Sequence, residues 1–247
     1  MTSHSLIKME NEKRFKGAIG TEYALFEKAY PHFKELQERI ALEICKYAKD
    51  RNLSVLEIGC GPGPTSDKIL SSNENINLTA VDNEGIMISQ AKEYLSNYGD
   101  RVKLVEDDAL SFLRGVSDAS FDAVASAWTI HNFTLEYREN IIKEIFRVLK
   151  PSGLFVNGDK YAQENINKHH EDFNWSIEQF IEKMAKTGNS KICYEWIIHM
   201  GLDESSNLLM KEKDSLSQLE NLGFLNPRII WRERMEAILI TQKGDEI

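Results

Sequence analysis

The chain has 247 residues, 42% hydrophobic, 28% charged and 9% aromatic, the make-up of an ordinary globular protein with length for one α/β domain and a full core. Its formal net charge of −9 argues against a nucleic-acid partner, because each phosphate contact wants a Lys or Arg, and small neutral or cationic partners fit it better. Cys45, Cys60 and Cys193 are an odd number at wide spacing and suggest neither a disulfide framework nor a zinc site. Residues 1–15 lack the apolar segment of a signal peptide, and no run of about 18 apolar residues exists to span a membrane. A cytoplasmic setting is expected.

In chain order, Thr21 to Ala48 repeats apolar residues at helical spacing (Leu36, Ile40, Ile44, Tyr47), with Pro31 splitting the stretch in two. The rhythm then changes. Leu53–Ile58 is a short apolar run ending in glycines, the pattern of a buried parallel strand, and Asn77–Val81, Val102–Val105, Phe121–Ser126 and Leu154–Asn157 repeat it. Helical stretches alternate with them at Thr65–Leu70, Gly85–Asn97, Ala109–Leu113 and Thr134–Leu149, the last stopped by Lys150-Pro151-Ser152-Gly153. Such alternation predicts a doubly wound, mostly parallel sheet. After Gly158 it breaks into two helices, His170–Ala185 and Ile192–His199, then a short helix over Ser215–Leu222. Two strand-like runs, Arg228–Arg232 and Ala237–Thr241, close the chain and predict a terminal antiparallel hairpin.

In an open α/β sheet the ligand sits beyond the carboxyl ends of the strands. Gly59-Cys60-Gly61-Pro62-Gly63 joins the first strand to a helix, where glycines let backbone approach a ligand closely. Asp82, at the end of the second strand, falls roughly 20 residues beyond that loop, the interval at which an acid holds ribose hydroxyls; a helix N-cap is the plainer use of it. The third strand ends in Glu106-Asp107-Asp108, either a solvated turn or a site where Asp108 takes an adenine amine beside the backbone N–H of Ala109.

These segments, together with Phe121–Ala127 and Arg147–Gly153, resemble the ordered motifs of the class I S-adenosylmethionine-dependent methyltransferases. The resemblance runs from about Leu53 to Asn157, and the closing hairpin would complete that family's seven-stranded sheet. It implies S-adenosylmethionine as cofactor, with Gly59, Gly61 and Gly63 at its methionine end and Glu57 near the ammonium group. Asp82 with Asn83 would hold the ribose, Asp108 with Ala109 the adenine, and Ser126 with Ala127 would flank the methyl donor. A dinucleotide dehydrogenase is disfavoured, since Pro64 stands where its fingerprint needs a glycine.

The domain is read as a helical segment over 1–50, a cofactor-binding half over 51–160, a helical cap over 161–205, and a closing helix and hairpin over 206–247. Methyl transfer needs positioning and exclusion of water more than covalent or metal chemistry. His131, just past the fourth strand, is the candidate base, against the plainer use of bonding a loop. Trp128, Tyr23 and Tyr161 are the candidate substrate-lining aromatics. His169-His170, Asp172 and His199 read as a solvated helix start rather than a metal site. The expected reaction is methylation of a small molecule on O, N or C. The alternatives are a tRNA- or protein-modifying methyltransferase and a non-catalytic S-adenosylmethionine-binding protein. The oligomeric state is not in the sequence.

Overall fold

The computed structural model describes Glu27 and residues 30–244. Tyr23 lies outside the described residues. The elements in order are α1 (Phe33–Ala48), β1 (Leu53–Ile58), α2 (Pro64–Ser72), β2 (Ile76–Asp82), α3 (Gly85–Tyr94), β3 (Val102–Glu106) and α4 (Ala109–Gly115). Then follow β4 (Phe121–Ala127), α5 (Leu135–Val148), β5 (Leu149–Lys160), α6 (Ile166–Ala185), α7 (Ser190–Asp203), α8 (Glu212–Asn221), β6 (Phe224–Glu233) and β7 (Glu236–Lys243). Short 3₁₀ turns cover Ser96–Arg101 and Ile130–Asn132.

The seven strands form one sheet in the order β3-β2-β1-β4-β5-β7-β6. β1 to β5 pair in parallel, and β7 runs antiparallel to both β5 and β6, as the hairpin predicts. Helices cover both faces. On one face α1, α2 and the cap helices α6 and α7 pack against Val55, Ala123 and Val156; on the other α4, α5 and α8 pack against Leu56, Val124 and Phe155. Each buried Leu or Ile contributes about 1.5–3 kcal/mol, and in α1 Leu36, Ile40 and Ile44 are wholly buried at helical spacing.

One close approach fixes where α1 sits. A Cβ on Gly158 of β5 would lie 2.6 Å from Ile40 Cδ1 and 2.8 Å from Leu36 Cδ2, so any larger residue would push those side chains, and α1 with them, off the strand. That contact brings Gln37, on the same turn, over the carboxyl ends of β1 and β4.

Two elements differ from their sequence reading. β5 starts at Leu149, directly after α5, and the segment read as a helix stop is an irregularity inside the strand: pairing with β4 shifts register between Phe121 and Ala123, and Ser152 has φ 58°. Pro151 is accommodated because the ladder is already broken there. The start of α6 is only partly solvated: Ile166, Asn167, Lys168 and His170 are exposed, but two of its polar residues are not. His169 and Asp172 are buried, bonding Glu204 and Arg234 respectively at 2.6 and 3.0 Å, because the cap folds back over the sheet end and must neutralise what it covers.

Candidate active site

β1 is flanked by β2 on one side and β4 on the other, so the strand order reverses there and a crevice opens beyond the carboxyl ends. A cleft lies in it. Its floor is the loop after β1, represented by Gly59, Cys60 and Gly61. One wall is Asp82, Asn83 and Glu84, another is Asp107, Asp108 and Ala109 with Tyr137 beside them, and the far end is Gln37, Ala127, Trp128, Asn132 and Phe133.

The loop is held by side chains from its neighbours. Gly59 has φ 71°, and a Cβ there would sit 2.2 Å from Thr129 Oγ1; the threonine hydroxyl donates to Gly59 O at 3.1 Å or Ala127 O at 2.9 Å. The loop after β4 is therefore locked onto the loop after β1. Beyond its chain neighbours, no described atom lies within 4 Å of where a Cβ on Gly61 would be, so that side of the loop is open.

Asp82 secures the other side of that loop. Its Oδ2 accepts the Gly61 N–H at 2.8 Å and its Oδ1 the Glu84 N–H at 3.0 Å. Burial raises its pKa, opposed by the backbone N–H groups of Glu84, Gly61 and Asn83. Each oxygen keeps a lone pair, enough for a pair of vicinal hydroxyls.

The three acids after β3 have separate uses. Glu106 lies against Gly85. Asp107 Oδ1 accepts the Asp108 N–H at 2.8 Å. Asp108 caps α4 by accepting the Ser111 N–H at 2.9 Å, and its Oδ2 accepts the Tyr137 hydroxyl at 2.7 Å.

Gly63 caps α2 with φ 97° and stands behind the lining. Two further expected cofactor residues also lie behind it. Glu57 is buried beneath the loop, where its Oε2 accepts the Ser66 hydroxyl at 2.5 Å. Ser126 is fully buried and donates to Ile58 O at 3.3 Å.

Tyr161, expected to line the substrate space, does not. It shares the parity of Phe155, Asn157 and Asp159 along β5, facing α5 and α8, and it accepts a hydrogen bond from Asn157 Nδ2 at 2.7 Å. His131 is also absent from the cleft wall. Its Nδ1 lies 2.5 Å from Asp159 Oδ1 and its Nε2 3.6 Å from Asp203 Oδ2, both ring nitrogens turned toward the cap and β5. Trp128 does line the cleft, at φ 55°, set edge-on to Tyr30 with centroids 4.7 Å apart.

The residue that sequence reading missed is Gln37. It is 3% exposed, lines the cleft, and its amide has no protein partner among the described residues. The signal was a lone amide on the apolar face Phe33, Leu36, Ile40, Ala41 and Ile44 of α1.

A sharp glycine turn, an open backbone floor and a two-oxygen acid at the switch point define a doubly wound α/β protein shaped for an adenosine-bearing cofactor. Residues 55–153 match the family model described as "Methyltransferase domain". The carboxy-S-adenosyl-L-methionine synthase of Nautilia profundicola is 23% identical over 228 residues, 89% of each chain. The sterol 24-C-methyltransferase of Debaryomyces hansenii is 34% identical over 149 residues, 56% of this chain but 37% of that one. A crystal structure of an S-adenosylmethionine-dependent methyltransferase from Archaeoglobus fulgidus superposes with TM-score 0.63 at 17% identity, covering 90% of this chain and 99% of that one. Residues 55–153 thus resemble a methyltransferase domain, the sheet has the methyltransferase fold, and the relatives support a methyltransferase enzyme with S-adenosylmethionine as cofactor. No helix among the described residues is long and apolar enough to cross a membrane.

Proposed function

We propose that this methyltransferase acts on a neutral or cationic small molecule through an O, N or C nucleophile, by in-line transfer within the cleft. The observation that carries the reading is the charge of the wall. Its described lining has four carboxylates, Asp82, Glu84, Asp107 and Asp108, all on the walls read as the cofactor's, and no Lys or Arg anywhere, so an anionic acceptor or a phosphate backbone would find no counter-charge.

S-adenosylmethionine supplies an electrophilic methyl on a sulfonium. The chain's residues position it. Asp82 takes the ribose hydroxyls beside Asn83, Asp108 takes the adenine amine with Ala109 N–H beside it, and Gly59 and Gly61 present backbone to the methionine end. Gln37, Trp128, Asn132 and Phe133 then form the acceptor end. None of those four titrates near neutrality, so the end orients a nucleophile and excludes water rather than removing a proton. His131 is read as a positioning residue that fixes the loop carrying Trp128 and Asn132.

The likeness to the carboxy-S-adenosyl-L-methionine synthase, over 89% of both chains, supports a second reading, production of a carboxylated cofactor. It ranks second because a carboxylate-bearing reactant wants a cation in the wall. The test is to incubate the protein with methyl-labelled S-adenosylmethionine and a cell extract separated by size. Label entering the low-mass fraction with release of S-adenosylhomocysteine is expected. Label in RNA or protein overturns the small-molecule reading, and a cofactor heavier by one carboxyl group selects the second.

A further inference from the structure

The Tyr137 hydroxyl accepts the Leu110 N–H at 3.1 Å and lies 2.7 Å from Asp108 Oδ2. A phenol has one proton to give. With its oxygen already accepting from Leu110, that proton is directed to Asp108. The other carboxylate oxygen is taken by the Ser111 N–H at 2.9 Å, so the carboxylate plane is fixed from both sides while each oxygen keeps a lone pair toward the cleft. The ring is braced by Phe133, with centroids 4.9 Å apart, and all of Asp108, Phe133 and Tyr137 line the cleft.

We propose that Tyr137 is a specificity-determining positioning residue for the cofactor's base: it holds the Asp108 carboxylate in the orientation that accepts an exocyclic amine and refuses a carbonyl. The inference rests on the proposed reading of Asp108 as the adenine acceptor. A carboxylate clamped by two donors cannot rotate, and its remaining lone pairs meet an N–H donor well. Hypoxanthine, with a carbonyl oxygen in place of the amine, would put acceptor against acceptor and leave both unpaired. The clamp is dependable across ordinary pH, because burial, with Asp108 adding to it, raises the tyrosine pKa far above its usual value. It also ties the adenine end to α5 and hence to Phe133 at the acceptor end, a link between residues in separate elements.

The test is calorimetric binding of S-adenosylhomocysteine and of its deaminated analogue, S-inosylhomocysteine, to the wild type, Tyr137→Phe and Asp108→Asn. Phe fills the same volume, and unliganded melting curves check the fold. The wild type should prefer the adenine ligand strongly. Tyr137→Phe should narrow that preference by about tenfold, the worth of one hydrogen bond to a charged group at the low end, mainly by weakening S-adenosylhomocysteine. A merely structural role would weaken both ligands alike, and that outcome, or an unchanged preference, overturns the inference for Tyr137. If Asp108→Asn leaves the preference untouched, the adenine reading itself falls and takes the inference with it; if Asp108→Asn abolishes it and Tyr137→Phe does not, only the tyrosine is wrong.

Discussion

The His131 Nδ1 stands 2.5 Å from Asp159 Oδ1, and Asp159 is wholly buried. The same carboxylate accepts the His131 backbone N–H at 3.1 Å through its other oxygen, and Asp203 of α7 is reached by both His131 Nε2 and Lys160 Nζ, at 3.6 and 2.9 Å. The histidine thus joins the turn after β4 to β5 and the cap. Removing the imidazole takes one hydrogen bond from a wholly buried carboxylate, so His131→Ala should lower the unfolding free energy by about 1–3 kcal/mol. S-adenosylhomocysteine affinity should stay within about twofold once the variant is folded. Urea unfolding and calorimetry measure the two; unaltered stability with a collapse in turnover would return His131 to the role of base.

Asp82 has the opposite profile. Its carboxylate holds the Gly61 N–H and faces the cleft, so Asp82→Ala should weaken S-adenosylhomocysteine by about 1.5–3 kcal/mol through lost charge-assisted bonds. Ribose hydroxyls donate, so they bind the ionised acid. Burial raises this carboxyl above its ordinary 3.8, and wild-type affinity should be full above that raised value and fall as the pH drops through it. Calorimetry from pH 7.5 downward checks this; an affinity in Asp82→Asn with the same acid limb as the wild type would assign the titration elsewhere.

The contrast between these two residues marks what the sequence could and could not carry. The place of Asp82, at the end of β2 beside the glycine loop, was legible because strand, loop and interval are local patterns, and local patterns follow from backbone geometry. Asp159 meeting His131, or Tyr137 meeting Asp108 from 29 residues away, depends on how separate elements dock, which no periodicity encodes. Tyr161 was misplaced for a simpler reason. β5 runs on to Lys160, so side-chain parity carries Tyr161 to the α5 face with Phe155 and Asn157. Gln37 was hidden among helix core positions until the fold put it over the cleft.

The Gly59–Thr129 contact is a steric lock and should behave as one. Gly59→Ala combines a left-handed residue, costing about 1–2 kcal/mol, with a Cβ only 2.2 Å from Thr129 Oγ1. Its destabilisation should exceed the backbone cost alone. Adding Thr129→Ala should recover part of it, giving a double-mutant coupling of about 0.5–3 kcal/mol. Strict additivity in chemical denaturation would mean that the two loops are not locked together.

Glu57 should make the protein's stability fall as pH rises across neutrality. The side chain is 1% exposed, its Oε1 has no partner, and burial pushes its carboxyl up to about 8, against the Ser66 hydroxyl and with help from Asp82. In the unfolded chain the group returns toward its ordinary 4.5. Between those values the folded state keeps a proton that the unfolded state has released, so unfolding gains at each step up in pH, by at most about tenfold in its equilibrium constant per unit. This contribution is fully present below about pH 4.5 and lost as the pH passes about 8. Glu57→Gln has the shape of the protonated acid and cannot titrate. Urea midpoints at pH 5.5, 6.5 and 7.5 should therefore fall less steeply in the variant than in the wild type, and equal slopes would show that Glu57 is ionised beneath the glycine loop.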